Sequence, residues 1–265
     1  MGGIMGLITL GHATECNMRN IQAWRPSKFV YRQGRLRASP DPAEVAPGSR
    51  LMAGRIAEFY HQRLPTYARG ELLDLGCGQV PLFQSYRERV SGVTCIDWQH
   101  CRHEHCHLDQ EWDLNQPLPV ADAQFDTVIL SDVLEHVTEP QQLIAEIARV
   151  LKPEGHLLLN VPFFYCIHER PHDYYRYTEF ALRRFMLQAG LTVEELTPLG
   201  GSLEVMADML AKHLQFIPLV GSLLASCVVW ITQALCGLTP LKRFSGKSAE
   251  AFPYGYALVA RKPAS

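Results

Sequence analysis

The residues best suited to chemistry gather first in Leu73-Asp74-Leu75-Gly76-Cys77-Gly78, where a short apolar run breaks into a glycine turn. Glycines there let a backbone approach a ligand with no Cβ in the way, and they accept positive φ. A helix is expected to follow, its first amides favouring polar or anionic ligand groups. Such a turn alone is shared with dinucleotide-binding folds. The next acid sharpens it. Asp97 closes a second strand about 20 residues on, the place from which a carboxylate accepts hydrogen bonds from ribose hydroxyls. Trp98 follows, where it could lie against an adenine face. The turn lacks the third glycine of the dinucleotide pattern, so it suits a smaller nucleoside better than a pyrophosphate.

A second concentration is His168-Glu-Arg-Pro-His172-Asp173-Tyr-Tyr-Arg176-Tyr-Thr178. It follows a strand predicted over 156–161, and so falls at the carboxyl edge of the sheet, where α/β proteins bind ligands. His172 is the expected general base, oriented by Asp173, with His168 and His136 as alternates. Arg176 could clamp a carboxylate or phosphate on a substrate. The bland alternative makes Asp173 and Arg176 a structural pair, with Tyr174 and Tyr177 as packing. A third tract, His100, Cys101, His103, His105, Cys106 and His107, has zinc-ligand residue types. Its spacing fits no standard finger and no second pair follows, so it is expected to be a solvated loop or helix near the adenosine pocket. No metal is expected.

The surrounding pattern must position these groups. Strands are predicted over 71–75, 93–96, 125–130, 156–161, 191–196 and 254–260. Helices are predicted over 140–151, with Leu143, Ile144, Ile147 and Val150 on one face, and over 178–188, with Thr178 as N-cap. Met52, Ile56, Phe59 and Tyr60 mark an earlier helix ending before Pro65. Alternating strands and helices imply a parallel sheet covered on both faces. Residues 1–48 show no sustained periodicity and read as a loosely structured arm that packs late or covers a site.

Here the chain resembles a family. Glu71-Leu-Leu-Asp-Leu-Gly-Cys-Gly78 resembles motif I of the class I S-adenosylmethionine-dependent methyltransferases. Further blocks resemble the family's in order and spacing: Asp113-Leu114-Asn115, Pro117-Leu-Pro119, Phe125 through Asp132, Val133-Leu-Glu-His136-Val, and Arg149 through Gly155. The resemblance covers 49–196 and resumes at Tyr254. It implies a doubly wound, Rossmann-like, seven-stranded α/β sheet, mostly parallel with an antiparallel last strand. It implies S-adenosyl-L-methionine as cofactor. Gly76 and Gly78, flanking Cys77, would approach the methionine moiety and ribose, and Asp74 the methionyl end. Asp97 would bind the ribose, and Asp113 and Leu114 would flank the adenine. Ser131 and Asp132 would face cofactor and substrate from a strand end. In related methyltransferases, a stretch similar to Pro171-His172-Asp173-x-x-Arg176-Tyr177-Thr178 forms part of the acceptor pocket.

One departure stands out. Residues 214–241 carry no Asp, Glu, Lys or Arg, and fall where the family joins its last two strands by a tight hairpin. The expected division is an arm over 1–48, a methyltransferase domain over 49–204 and 250–265, and an apolar helical insertion over 205–249. A true span would strand the last strand across a bilayer from the other six, and Pro218, Gly221 and Ser222 interrupt the run. An interfacial or re-entrant helical hairpin fits better, with Lys212, Lys242, Arg243 and Lys247 suiting anionic headgroups. The alternatives are a buried cap or a dimer interface.

Bulk properties narrow the remaining classes. A net charge of -2 over 265 residues gives no basic excess, so no nucleic-acid partner is expected. Eight cysteines at irregular spacing read as reduced thiols in a cytoplasmic protein. No secretory signal is evident at Met1, and Gly6 stands where a myristoylation pattern wants Ser or Thr. The resulting expectation is a methyltransferase acting on a hydroxyl of a small or lipid-linked acceptor, a glycan precursor or a phenol. It would be cytoplasmic, with peripheral contact on the membrane's cytoplasmic face. The alternatives are a catalytically silent cofactor-binding protein and, less favoured, a nicotinamide-dependent oxidoreductase.

Overall fold

The computed structural model describes residues 16–98 and 106–264. The arm departs from expectation. Strands β1 (Phe29–Arg32) and β2 (Arg35–Ala38) form an antiparallel hairpin against helix α1 (Arg50–Tyr67). Cys16, Met18, Phe29, Leu36 and Val45 are buried there. Short-range periodicity missed this because two four-residue strands are too short to display it. Helix α1 also runs past its expected end, with Pro65 inside its last turn. Proline removes one amide donor, and buried Leu64, which accepts from the Ala68 N–H, keeps that turn docked.

The main sheet follows. In chain order its strands are β3 (Gly70–Leu75), β4 (Val90–Asp97), β5 (Gln110–Glu111), β6 (Phe125–Ser131), β7 (Leu151–Pro162), β8 (Thr192–Leu199) and β9 (Gly255–Arg261). Their spatial order is β5-β4-β3-β6-β7-β9-β8. Pairing is parallel except along β9, which is antiparallel to both β7 and β8. The central strands are apolar on both faces, as a sheet covered by helices requires. Leu72, Ile129 and Leu158 enter one core layer with Ile56, Tyr60 and Leu64 of α1. Their neighbours Leu73, Leu75, Val128, Leu130, Leu157 and Leu159 enter the other. There they meet Leu143, Ile144 and Ile147 of α3 (Pro140–Val150). Helix α4 (Glu179–Gln188) begins as expected, with Thr178 Oγ1 accepting from the Ala181 N–H at 3.3 Å.

Chain order reverses between β3 and β6, so crossovers leave in opposite directions and a crevice opens at those strands' carboxyl ends. Between β8 and β9 lie α5 (Ser202–Leu214), α6 (Gly221–Cys236) and α7 (Thr239–Ser248). Gly221, Ala225, Val229, Thr232 and Cys236 form the buried stripe of α6. Buried Glu204 of α5 accepts from Arg55 of α1 at 2.6 Å and from the Ser245 hydroxyl of α7, fastening these three helices together. Among the described residues no single helix is long and apolar enough to cross a membrane; α6 and α7 pass only as a pair bent by 101°. Lys212 is not the headgroup ligand expected of it. It is largely buried, pairs with Asp208, and lies 3.6 Å over the Tyr165 ring.

Candidate active site

The crevice holds a cavity of about 550 Å³. At one end Gly76 and Gly78 take φ of +65° and +51°, the left-handed region that glycine enters freely. A Cβ on Gly76 would lie 2.3 Å from Val133 Cγ2, so this turn has no room for a side chain. The helix expected next is only α2 (Phe83–Tyr86), beginning after the further turn at Val80. Its dipole is therefore not what the loop offers. Instead the Gly78 N–H donates to Asp97 Oδ2 at 2.8 Å, and the Trp98 N–H donates to Asp97 Oδ1 at 2.8 Å. Asp74 is buried and accepts from Tyr86 Oη at 3.2 Å. Burial pushes its carboxyl up to about 7, Tyr86 opposing and the Asp97 charge adding to the rise.

Cys77, Trp98, Asp113 and Leu114 line the same end. Asp113 also does the ordinary work of a turn acid, its Oδ1 accepting from the Asn115 backbone and side-chain amides at 2.9 and 2.8 Å. Of the cysteine–histidine tract, residues 100, 101, 103 and 105 lie outside the described residues. Cys106 is exposed, and buried His107 meets the Arg19 carbonyl through Nδ1 at 3.1 Å.

The other end is assembled from three separate segments. Ser131 and Asp132 stand where β6 stops. Asp132 is bridged by Lys28 of the arm at 2.6 Å and by the Asn160 amide of β7 at 2.5 Å, and Asn160 in turn accepts from Tyr60. The arm thus does cover the site, through a residue that sequence reasoning left unnamed. Beyond Asp132 come Glu135 and His136, and from the loop after β7, Tyr165 and His168. Glu135 is fully buried, and neither carboxylate oxygen has a hydrogen-bond partner. Burial drives its carboxyl upward, opposed by His168. His168 is raised: burial alone would lower it, but the Glu135 carboxylate outweighs that.

The expected catalytic pairing is corrected. Asp173 does not orient His172. Its two oxygens take Arg176 Nη1 and Nη2 at 2.6 and 2.8 Å, and Oδ2 also accepts the His168 backbone N–H at 2.9 Å. The guanidinium and that amide hold Asp173 down at about 2, against its burial. Arg176, further tied to the carbonyls of Tyr175 and Cys166, is a structural partner rather than a substrate clamp. His172 lies outside the cavity lining, its Nδ1 3.0 Å from Tyr174 Oη and its ring edge-on to Trp98. Buried Tyr177 donates to the Leu134 carbonyl. His136 and His168, the alternates, are the histidines that reach the cavity. Glu135 was missed although a signal existed, an acid enclosed by Val133, Leu134 and Val137.

Relatives agree with this geometry. A family model described as a methyltransferase domain matches residues 73–159. A protein of Mycolicibacterium smegmatis named as a probable S-adenosylmethionine-dependent methyltransferase is 31% identical over 142 residues, 46% of this chain and 55% of its own. A ubiquinone biosynthesis O-methyltransferase of Acinetobacter baylyi is 30% identical over 115 residues, 39% of this chain and 46% of its own. The chain thus spans about half the length of these curated relatives. The crystal structure of the [4+2]-cyclase SpnF superposes with a TM-score of 0.53 at 19% identity, over 95% of this chain and 89% of that one; this likeness speaks to fold alone. A glycine turn and a neighbouring carboxylate at the switch point, in a sheet of this order, accord with these matches: residues 73–159 carry a methyltransferase domain, on the Rossmann-like fold of the class I S-adenosylmethionine-dependent methyltransferases.

Proposed function

We propose that this protein transfers a methyl group from S-adenosylmethionine to an oxygen of a small or lipid-linked acceptor, such as a glycan precursor or a phenol. The carrying observation is that one cavity joins the glycine turn to Glu135, His136 and His168. Residues of the chain itself support that cofactor. The turn at Gly76 is closed to a side chain, and the Asp97 carboxylate is held beside it by two amides. Asp74, Gly76 and Gly78 would hold the methionyl and ribose portions, and Leu114 with Trp98 the adenine. When bound, the cofactor supplies a methyl already activated on a sulfonium.

The chain's own work is to align the acceptor and remove its proton. An acceptor hydroxyl that gains a methyl carbon must lose its hydrogen, and the sulfonium becomes a neutral thioether. The cluster at the far end of the cavity is suited to that proton loss, because it pairs a buried carboxylate with imidazoles. Lys28 on Asp132 ties the arm to the rim of the site.

A hydrophobic acceptor agrees with the cap. Met206, Met209 and Leu210 of α5, with Leu223, Trp230 and Ile231 of α6, are exposed. Lys242, Arg243 and Lys247 lie on the adjoining α7. This supports peripheral contact with an anionic membrane face, checked by co-sedimentation with vesicles containing phosphatidylserine.

Calorimetry with S-adenosylhomocysteine and transfer of labelled methyl into a membrane-plus-cytosol extract test the main reading. Binding together with an alkali-stable labelled ether is expected. Absence of binding sinks the cofactor assignment, and binding without transfer reduces the protein to a cofactor-binding module. Binding of NAD in place of S-adenosylhomocysteine would instead favour the oxidoreductase.

A further inference from the structure

Three ligand atoms converge at the acceptor end, one oxygen of Glu135 and one ring nitrogen each of His136 and His168, all within 4.8 Å of one another. His136 Nε2 lies 3.7 Å and His168 Nε2 3.6 Å from the same atom, Glu135 Oε1. Both separations are too long for hydrogen bonds. They suit two ligands of one ion: bonds of 2.0–2.1 Å at tetrahedral angles put neighbouring donors about 3.3–3.4 Å apart.

The opposite ring nitrogens explain which atoms are presented. His136 Nδ1 lies 2.7 Å from the His172 carbonyl, which can only accept, so that nitrogen carries the hydrogen and Nε2 offers a lone pair. His168 Nδ1 lies 3.3 Å from Asp173 Oδ2, near although not aligned for a hydrogen bond. Asp173 is itself locked by Arg176 and by the His168 backbone amide. A carbonyl behind one imidazole and a carboxylate behind the other is the outer arrangement that fixes metal-binding histidines. The inner face then brings the Glu135 carboxylate and two imidazole nitrogens together with no aligned hydrogen bond among them. A carboxylate at 0% exposure with two unpartnered oxygens is costly unless a cation meets it.

We propose that Glu135, His136 and His168 form a binding site for one divalent first-row metal ion at the acceptor end of the cavity. Two imidazoles and one carboxylate are a donor set that catalytic zinc sites use, leaving positions open. Here the open side is the cavity, which all three residues line. The ligand class for those positions is an oxygen donor, a hydroxyl or a pair of adjacent hydroxyls on the acceptor. Coordination lowers a hydroxyl's proton affinity, and its proton passes to water at the mouth. This last role rests on the methyl-transfer reading; the occupancy of the site does not.

The experiment uses the full chain stripped with a chelator, without cofactor or acceptor, titrated with Co²⁺ and followed by visible absorption. One equivalent should produce a saturating spectrum that Zn²⁺ abolishes. His168→Ala and Glu135→Gln should each weaken binding by at least about tenfold, the loss that even outer-shell changes cause. His136→Ala serves where either variant fails to fold by circular dichroism. No saturable spectrum in the native chain overturns the proposal. So does unchanged affinity in the folded variants, which would place the ion elsewhere, as in the tract around Cys106. Metal binding without methyl transfer would end the functional reading and leave this one standing, and the reverse result would do the opposite.

Discussion

The two ends of the cavity are built in opposite ways. The cofactor end comes from a strand, its turn and the tip of the adjacent strand, so most of its geometry is backbone geometry. The acceptor end comes from the arm, the loop after β6 and the loop after β7, so its geometry is that of side chains meeting across sequence separations of 28 and 104 residues. The difference teaches that the proposed cofactor end is encoded locally and the proposed acceptor end is encoded by assembly. A turn needs only the right φ angles, whereas Glu135 acquires its character only once His168 arrives beside it.

The sharpest break should come from Gly76→Val. Positive φ costs a side chain about 1–2 kcal/mol before any clash, and Val133 occupies the space a Cβ needs. Calorimetry should find no measurable S-adenosylhomocysteine affinity in a chain that still folds by circular dichroism. At the other end, His168→Ala should lower turnover about 10²–10⁴-fold, the range expected when proton handling is lost. Cofactor affinity should stay within about twofold in the same calorimetric assay. Equal losses of both would show the ends to be one coupled unit.

A smaller effect is expected where the arm meets the site. Lys28→Ala removes a partly exposed ion pair worth about 0.2–1 kcal/mol, so an acceptor's KM should rise by no more than about fivefold with kcat little changed. Steady-state kinetics with the identified acceptor checks it.

The subtlest test uses pH. Burial lets Asp74 hold its proton up to about 7, against an ordinary value of 3.8. Between those values the folded state binds more protons than the unfolded chain, so Asp74 makes stability decline as pH rises. Its favourable contribution is complete below 3.8 and gone above about 7. Asp74→Asn should flatten that decline in urea unfolding from pH 4 to 8; an unchanged slope would show that the carboxyl is not shifted.

What could be read before folding follows the same division. Asp74, Gly76, Gly78 and Asp97 were legible because strand, turn and strand carry their signal within a few residues. The parallel sheet followed from strand–helix alternation, and its doubly wound, seven-stranded form only from the family resemblance. His172 was chosen from a composition-rich segment, but composition does not say which histidine points inward. That was decided by Arg176, which draws Asp173 toward His168. The hairpin at 29–38 and Lys28 were hidden because their meaning lies in contacts with α1 and Asp132, and no periodicity reports a contact. The apolar run at 214–241 was legible as helical and interrupted, yet Lys212 was misjudged because its partners, Asp208 and Tyr165, come from its own helix and from a distant loop.

The position of β9 has a consequence for biosynthesis. A ribosome releases the polypeptide in order, yet residues 255–261 must slot between two ribbons made long before them. Until they emerge, β7 and β8 each present an unsatisfied flank, and the three cap helices hang from a half-finished scaffold. Nascent chains paused before Gly255 should therefore engage chaperones, and release should coincide with a late gain of protease resistance.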